Sequence, residues 1–380
     1  MLKKYKYAII GGGFGGLTSG LRLRDFVIFE ATDKLGGCGG YFIRNGKIFN
    51  VGATTIAFMG KNEYSKKFFE SVGLKLDFLE HNKAFDIIEN GKIYNKISEL
   101  KSKGIFNKLY ENFFSIIKYL GHFFNLVNDK EFDDILLISL QRKTPVFRIF
   151  YELSIDYYKS VWAIFKNGYY DLISQIEKKL MENGEVLKNT KVLKVIENKI
   201  ITNNGEYYAD KIIFNLDPWQ VNRILDKEIM KVPNEELFNA IVIYLEIEEA
   251  EKLSNFYFLI KDNFRTIHSP FISIFQNGTI TISGHYKKFY EDKEIDKILE
   301  IVKDVLKIKF KLVSIADKSA FEKYTSRYKG YVGGLPISYK NLIFSLYNGR
   351  KRGNYYFVGD YYFPLQSLPS SIIRSSFFLK

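Results

Sequence analysis

Gly11, Gly13 and Gly16 stand in the pattern Gly-x-Gly-x-x-Gly directly after the apolar run Ala8-Ile9-Ile10, and Glu30 closes a second apolar run, Val27-Ile28-Phe29. Residues of these types at this spacing bind rather than react. Gly11 permits a tight turn, Gly13 lets backbone come close to a diphosphate, and Gly16 lets the next helix pack closely on the sheet. That helix, opening at Phe14-Gly15, offers free N–H groups to phosphate oxygens. Glu30, with Ala31 beside it, can accept hydrogen bonds from ribose hydroxyls, and an acid there favours an unphosphorylated ribose. Strand, glycines, helix and strand-terminal acid in this order form the dinucleotide-binding fingerprint.

A second glycine cluster, Gly36-Gly37-Cys38-Gly39-Gly40, follows within a few residues, and Gly52-Ala53-Thr54 adds small side chains against which a flat ring system could lie. A site for NAD alone does not need the second cluster; it points to a longer cofactor. Cys38 is the only cysteine, which excludes an intrachain disulfide framework and a cysteine-based zinc site. With no base beside it in sequence, Cys38 reads as a small filler between glycines, the alternative being a reactive or cofactor-linked thiol. His81, His122, His268 and His285 belong to no paired motif. No catalytic residue is assigned, and no metal is expected.

The elements that must hold these groups can be read more coarsely. Residues 7–10 and 27–30 form parallel strands around a helix from about 14 to 23. Asn45-Gly46 turns a hairpin between 41–44 and 47–50. Residues 62–180 read as mostly helical, with amphipathic stretches at 64–72 and 169–181. The segment Ile105 to Leu126 is crowded with apolar and aromatic residues; it reads as a buried helix, an interfacial membrane helix or the wall of an apolar tunnel. Further strands are expected at 192–196, 199–201 and 211–214, then at 237–247 and 271–283 in a second lobe. A helix follows at 295–306. Residues 355–358 form a late strand ending in Gly359-Asp360, and a last helix starts near Ser370.

The 380 residues suffice for two or three lobes, and 46% hydrophobic against 26% charged residues excludes a disordered chain. The net charge of +13 comes from lysines spread along the chain, without a nucleic-acid module, so no nucleic-acid partner is expected. Met1-Leu2-Lys3-Lys4 resembles the charged start of a signal peptide, but its apolar run stops at Gly11, and no stretch is long and apolar enough to span a bilayer. The expected location is the cytoplasm, with peripheral contact at the inner face of the membrane as the alternative.

Taken together, these motifs resemble the flavin-dependent amine oxidase superfamily, and within it the phytoene desaturases and carotenoid isomerases. The resemblance rests on the glycine fingerprint, Gly36-Gly37, the segment Tyr41 to Gly52, Asn215-Leu216-Asp217-Pro218, Lys329 to Pro336, and Tyr356 to Gln366. It implies an α/β fold: a Rossmann-like FAD-binding domain assembled from residues 1–60, 185–225 and 335–380, with an inserted α+β substrate domain from 61–184 and 226–334. It implies FAD as cofactor. Gly11 to Gly16 would face the pyrophosphate, Glu30 the ribose, Gly36, Gly37, Cys38 and Gly39 the cofactor's length, and Gly52 to Thr54 the flavin ring. Val192 matches the position whose backbone pairs with adenine, and Gly359-Asp360 the contact to ribityl or phosphate groups. The loop from Pro364 to Pro369, including Gln366, would close on the flavin.

Three departures mark the chain. The span from Leu17 to Phe29 is about one helical turn short. Cys38 replaces an arginine common in relatives, which would bond phosphate, and Leu365 and Ser367 replace glycines beside the flavin. The resemblance implies oxidation or isomerisation of an apolar polyene, which the 17% aromatic content suits. The rivals are an amine oxidase, with Tyr361 and Tyr362 as its guiding aromatics, and a non-catalytic or degenerate FAD binder.

Overall fold

The computed structural model describes residues 3–81, 86–94, 161–234, 236–248, 257–335, 339–362 and 368–376. In chain order, β1 (Lys3–Ile10), α1 (Phe14–Gly20) and β2 (Phe26–Phe29) precede a hairpin of β3 (Tyr41–Arg44) and β4 (Lys47–Asn50). Then come α2 (Tyr64–Ser71), β5 (Phe78–His81), β6 (Asp86–Glu89), β7 (Lys92–Tyr94), β8 (Trp162–Phe165) and α3 (Tyr170–Met181). A second run holds β9 (Gly184–Leu187), β10 (Val192–Ile196), β11 (Lys199–Thr202), β12 (Gly205–Phe214) and α4 (Pro218–Leu225). It is followed by β13 (Asn239–Ile247), β14 (Tyr257–Lys261), β15 (His268–Phe275), β16 (Thr279–Tyr286) and α5 (Asp292–Leu306). The last elements are β17 (Phe310–Ala316), α6 (Lys318–Thr325), α7 (Tyr339–Asn348), β18 (Tyr355–Phe357) and α8 (Leu368–Ser376).

The first sheet runs β10-β11-β12-β1-β2-β9, with β18 also on β12. Its centre is parallel: β1 pairs with β2 and β12, and β12 with β18. Alternation divides the apolar runs between two cores. Ile9, Ile28 and Ile213 pack under Leu17 of α1, Ile173 and Ile176 of α3, and Ile372 of α8. Ala8, Ile10, Val27 and Phe214 pack on the other face with Val221 and Ile224 of α4. Burial on both faces is why β1 and β2 carry near-continuous apolar sequence.

The second sheet runs β17-β13-β16-β15-β14-β6-β7. Along β13, Ile241, Ile243 and Leu245 face α5 through Ile295, Ile298 and Val302. Ala240, Val242 and Tyr244 face the opposite way, onto Phe49 of the hairpin and Phe321 of α6. A period of two thus gives one strand both a covered back and a front turned to the first lobe.

Four expectations are corrected. The described part of the stretch read as helical also contains β5 to β8, because short apolar runs such as Trp162-Ala163-Ile164-Phe165 do not declare their period. The stretch 271–283 is two strands, turned at Gly278 with φ of 77°. The first helix stops at Gly20 rather than about 23 and the chain returns through Asp25 in a left-handed conformation, which accommodates the short span to Glu30. Helix α3, grouped by sequence with the inserted domain, packs on α1 and the first sheet. The segment from Ile105 to Leu126 lies outside the described residues.

Candidate functional site

The glycine loop closes around one side chain. Asn215 follows β12, its N–H donates to the Ile10 carbonyl at 2.9 Å, and its Nδ2 donates to the Gly11 carbonyl at 3.1 Å. A Cβ at Gly15 would lie 2.6 Å from Asn215 Oδ1, one at Gly13 2.9 Å from Nδ2, and one at Gly359 2.9 Å from Oδ1. Glycines from both ends of the chain thus make room for the same amide. Gly11 has φ of 100°, a conformation closed to most side chains. Gly16 does not line the cavity; a Cβ there would collide with the Gly11 carbonyl oxygen, so its part is helix packing.

Glu30 is fixed in place. Its Oε2 accepts from Gly12 N–H at 2.8 Å, and its Oε1 accepts from the N–H and hydroxyl of Thr32 at 2.9 and 2.8 Å. Burial raises its pKa, and these hydrogen bonds work against that rise. The carboxylate therefore ties the glycine loop to β2 while keeping acceptor capacity toward the cavity. The Gly36 N–H donates to the Gly12 carbonyl at 2.8 Å, joining the second glycine cluster to the first. From there Ala53 N–H reaches the Cys38 carbonyl at 3.0 Å, and Tyr244 Oη donates to the Val51 carbonyl at 2.5 Å. Segment 51–54 is held between the glycine cluster and the second sheet.

These parts enclose a cavity of about 810 Å³ between the two lobes, in the upper part of the range for small-molecule and cofactor sites. Gly11, Gly13, Phe14, Gly15, Glu30, Ala31, Gly36, Gly37, Cys38, Gly39, Gly52, Ala53, Thr54, Val192, Gly359 and Asp360 all line it. Gln366, Leu365 and Ser367 lie outside the described residues. The wall beyond the glycines is mostly apolar, with Phe42, Val51, Trp162, Val242, Tyr244 and Phe271.

Three placements differ from the sequence reading or add to it. Asp360 is paired with Arg327, whose Nη2 donates to Asp360 Oδ2 at 2.8 Å. Burial opposes the charge of Arg327, but the Asp360 carboxylate outweighs it and keeps the guanidinium protonated. Cys38 lies beside this guanidinium, yet burial pushes its thiol pKa up, so the filler role fits better than a reactive one. Tyr362 is fully buried and donates to the Leu216 carbonyl at 2.8 Å, while Tyr361 lies under Arg327, 5.5 Å from Cζ to ring centroid. Tyr362 is therefore a core residue rather than a substrate guide.

Sequence reasoning missed Arg327 and Asn215 as site residues. Asn215 carried a signal, as the first residue of Asn-x-Asp-Pro after a strand. Arg327 carried none, being one basic residue among 56. His285 also lines the cavity; burial, with His268 next to it, pushes its pKa down to about 4. His122 lies outside the described residues, and no group of three or more His, Cys, Asp or Glu among the described residues could hold a metal ion.

The model of the NAD(P)-binding Rossmann-like domain matches residues 9–72. No curated protein matches the chain. Among solved structures, an oxidoreductase from Methanosarcina mazei is 16% identical over 98% of both chains, with a TM-score of 0.71. Putrescine oxidase is 13% identical over 98% of this chain and 97% of its own, with a TM-score of 0.60. The CLA-producing fatty acid isomerase from P. acnes is 12% identical over the same shares, with a TM-score of 0.57. The chain has the fold of these solved structures, built on an N-terminal dinucleotide-binding domain. At these identities the likeness is one of fold, and the group that the matched domain calls for is a dinucleotide. The cavity fits such a group on its own evidence. A cradle of glycines from Gly11 to Gly15, Gly36 to Gly39 and Gly359 lies along it, and the buried Nη1 of Arg327 has no hydrogen-bond partner among the described residues.

Proposed function

We propose that this chain is an FAD-dependent oxidoreductase acting on an apolar, polyene-type substrate by desaturation or double-bond isomerisation. The observation that carries the substrate class is the cavity's charge pattern. Among the described residues, the acids on its wall are Glu30, Asp33, Asp217 and Asp360. Glu30 and Asp33 lie at the ribose end, Asp360 is paired with Arg327, and Asp217 caps α4, accepting from Gln220 N–H at 2.8 Å. Among the described residues, the apolar wall around Trp162 and Phe271 therefore offers no free carboxylate to a cationic amine, whereas a hydrocarbon chain needs none.

Bound FAD supplies hydride exchange with the substrate. The chain's own groups bind and orient. Glu30 would accept from a ribose hydroxyl, the backbone of Gly13 to Gly15 would hold the diphosphate, and segment 51–54 would hold the ring. Val51, Val242 and Tyr244, on the apolar part of the wall, would keep water from the substrate. His285, with its pKa pushed down to about 4, is neutral at physiological pH and adds no charge to this wall. The CLA-producing fatty acid isomerase among the structural neighbours supports a hydrocarbon-chain substrate. Such a substrate comes from a lipid phase, and the net charge of +13 would draw the protein to anionic headgroups.

The test is anaerobic bleaching of the flavin band in reconstituted protein. A carotenoid precursor presented in liposomes should bleach it, or should be isomerised when the flavin is first reduced. Putrescine and aromatic amines should do neither. Turnover of amines with no effect on polyenes would replace this reading by an amine oxidase.

A further inference from the structure

Loop 326–330 brings a guanidinium to the cofactor cavity and holds it there. Ser326 and Lys329 both have left-handed backbone, with φ of 56° and 51°. The chain on either side of Arg327 is clamped by α4. Gln220 Nε2 donates to the Ser326 carbonyl at 2.6 Å, and Tyr328 N–H donates to Asp217 Oδ2 at 3.0 Å. Gln220 Nε2 also donates to Asp217 Oδ2 at 2.7 Å, so the two clamps are one network. The Trp219 ring stacks on Tyr328 with centroids 5.1 Å apart. Strained backbone kept by surrounding contacts marks sites where position matters.

The guanidinium is only half used. Nη2 is on Asp360, and Nη1 is buried with no hydrogen-bond partner among the described residues. A buried donor on a charged group is costly to leave unsatisfied. The other cations on the cavity wall, Lys34, Arg44, Lys191 and Arg223, are exposed. Arg327 also lies where a diphosphate would pass. It touches Asp360 and Cys38, each one residue beyond a glycine, Gly359 or Gly37, that abuts the fingerprint at Gly15 or Gly13.

We propose that Arg327 is the anion-binding residue of this cavity, with Nη2 kept on Asp360 and Nη1 donating to a diphosphate oxygen of the bound dinucleotide. Arginine suits the task because its planar fork can serve two acceptors at once, whereas a lysine ammonium acts as a point charge. The proposal rests on the FAD reading above, and its test separates the two.

The experiment titrates the full-length apoprotein with FAD, with ADP, which has the diphosphate without the flavin, and with riboflavin, which has the ring without phosphate. Wild type is compared with Arg327→Met and Arg327→Lys. Arg327→Met should weaken FAD and ADP about tenfold to hundredfold and leave riboflavin unchanged. Arg327→Lys keeps a charge on Asp360 but lacks the second arm; it should retain the wild-type circular dichroism spectrum and still weaken ADP by roughly tenfold. Affinities for FAD and ADP within about twofold of wild type in both variants would overturn the role of Arg327 while leaving the FAD reading intact. A wild-type apoprotein that binds neither FAD nor ADP would overturn both.

Discussion

The two halves of the cavity wall are built by opposite means. The half from the first sheet rests mainly on two neighbouring glycine clusters, in which Gly11, Gly36 and Gly37 take left-handed backbone and the other glycines make room by having no side chain. The other half is gathered from loop 326–330, from β13 and from β16, and its left-handed positions include Ser326 and Lys329. What glycine does for the first half, tertiary clamps from Asp217 and Gln220 do for the second. Local freedom leaves a mark in sequence; a clamp over 100 residues away leaves almost none.

Four changes break or sharpen that contrast. The largest effect is expected in the first half. Gly16→Ala sets a Cβ against the Gly11 carbonyl, backbone on both sides, and should cost about 3 kcal/mol in urea unfolding. A cost below about 1 kcal/mol would mean that the glycine loop is looser than described. Next, Asp217→Ala removes the α4 cap and the clamp on Tyr328 together and should cost about 2.5 kcal/mol. Its affinity for ADP should fall as well, because the loop that aims Arg327 is released.

The third prediction concerns pH. His285 has a folded pKa near 4 against 6.5 when unfolded, so the unfolded chain binds the proton first as pH falls. Its contribution is fully present above pH 6.5 and is lost as pH falls toward 4, about 2 kcal/mol being gone by roughly pH 5. The stability difference between wild type and His285→Asn should narrow by that amount across this window; a difference constant with pH would contradict the burial of His285. The smallest effect is a gain. Ser326→Gly relieves a left-handed position at the end of α6 and should stabilise by roughly 0.5–1 kcal/mol in thermal unfolding. A loss there would show that the Ser326 conformation carries no strain.

The same contrast explains what was legible in the sequence. The fingerprint, Glu30, the Asn45-Gly46 turn and the apolar strands of the first sheet are local patterns, and each stands where its spacing places it. The β5–β8 pair was not legible, because Phe78 to His81 meets Trp162 to Phe165 across more than 80 residues and neither run has a diagnostic period. Cys38 was noted as a missing arginine, yet nothing in sequence says that Arg327 comes to lie against it. The amine oxidase alternative makes Tyr362 a guiding aromatic, whereas its hydroxyl is spent on the Leu216 carbonyl.

The central claim is that both halves close around FAD. It is tested most directly by incubating the purified full-length protein with FAD, removing unbound cofactor, denaturing the protein and recording the spectrum of what is released. The account predicts a flavin spectrum, equimolar with the chain and identifiable as FAD. Protein that stays folded throughout and releases no flavin would contradict it.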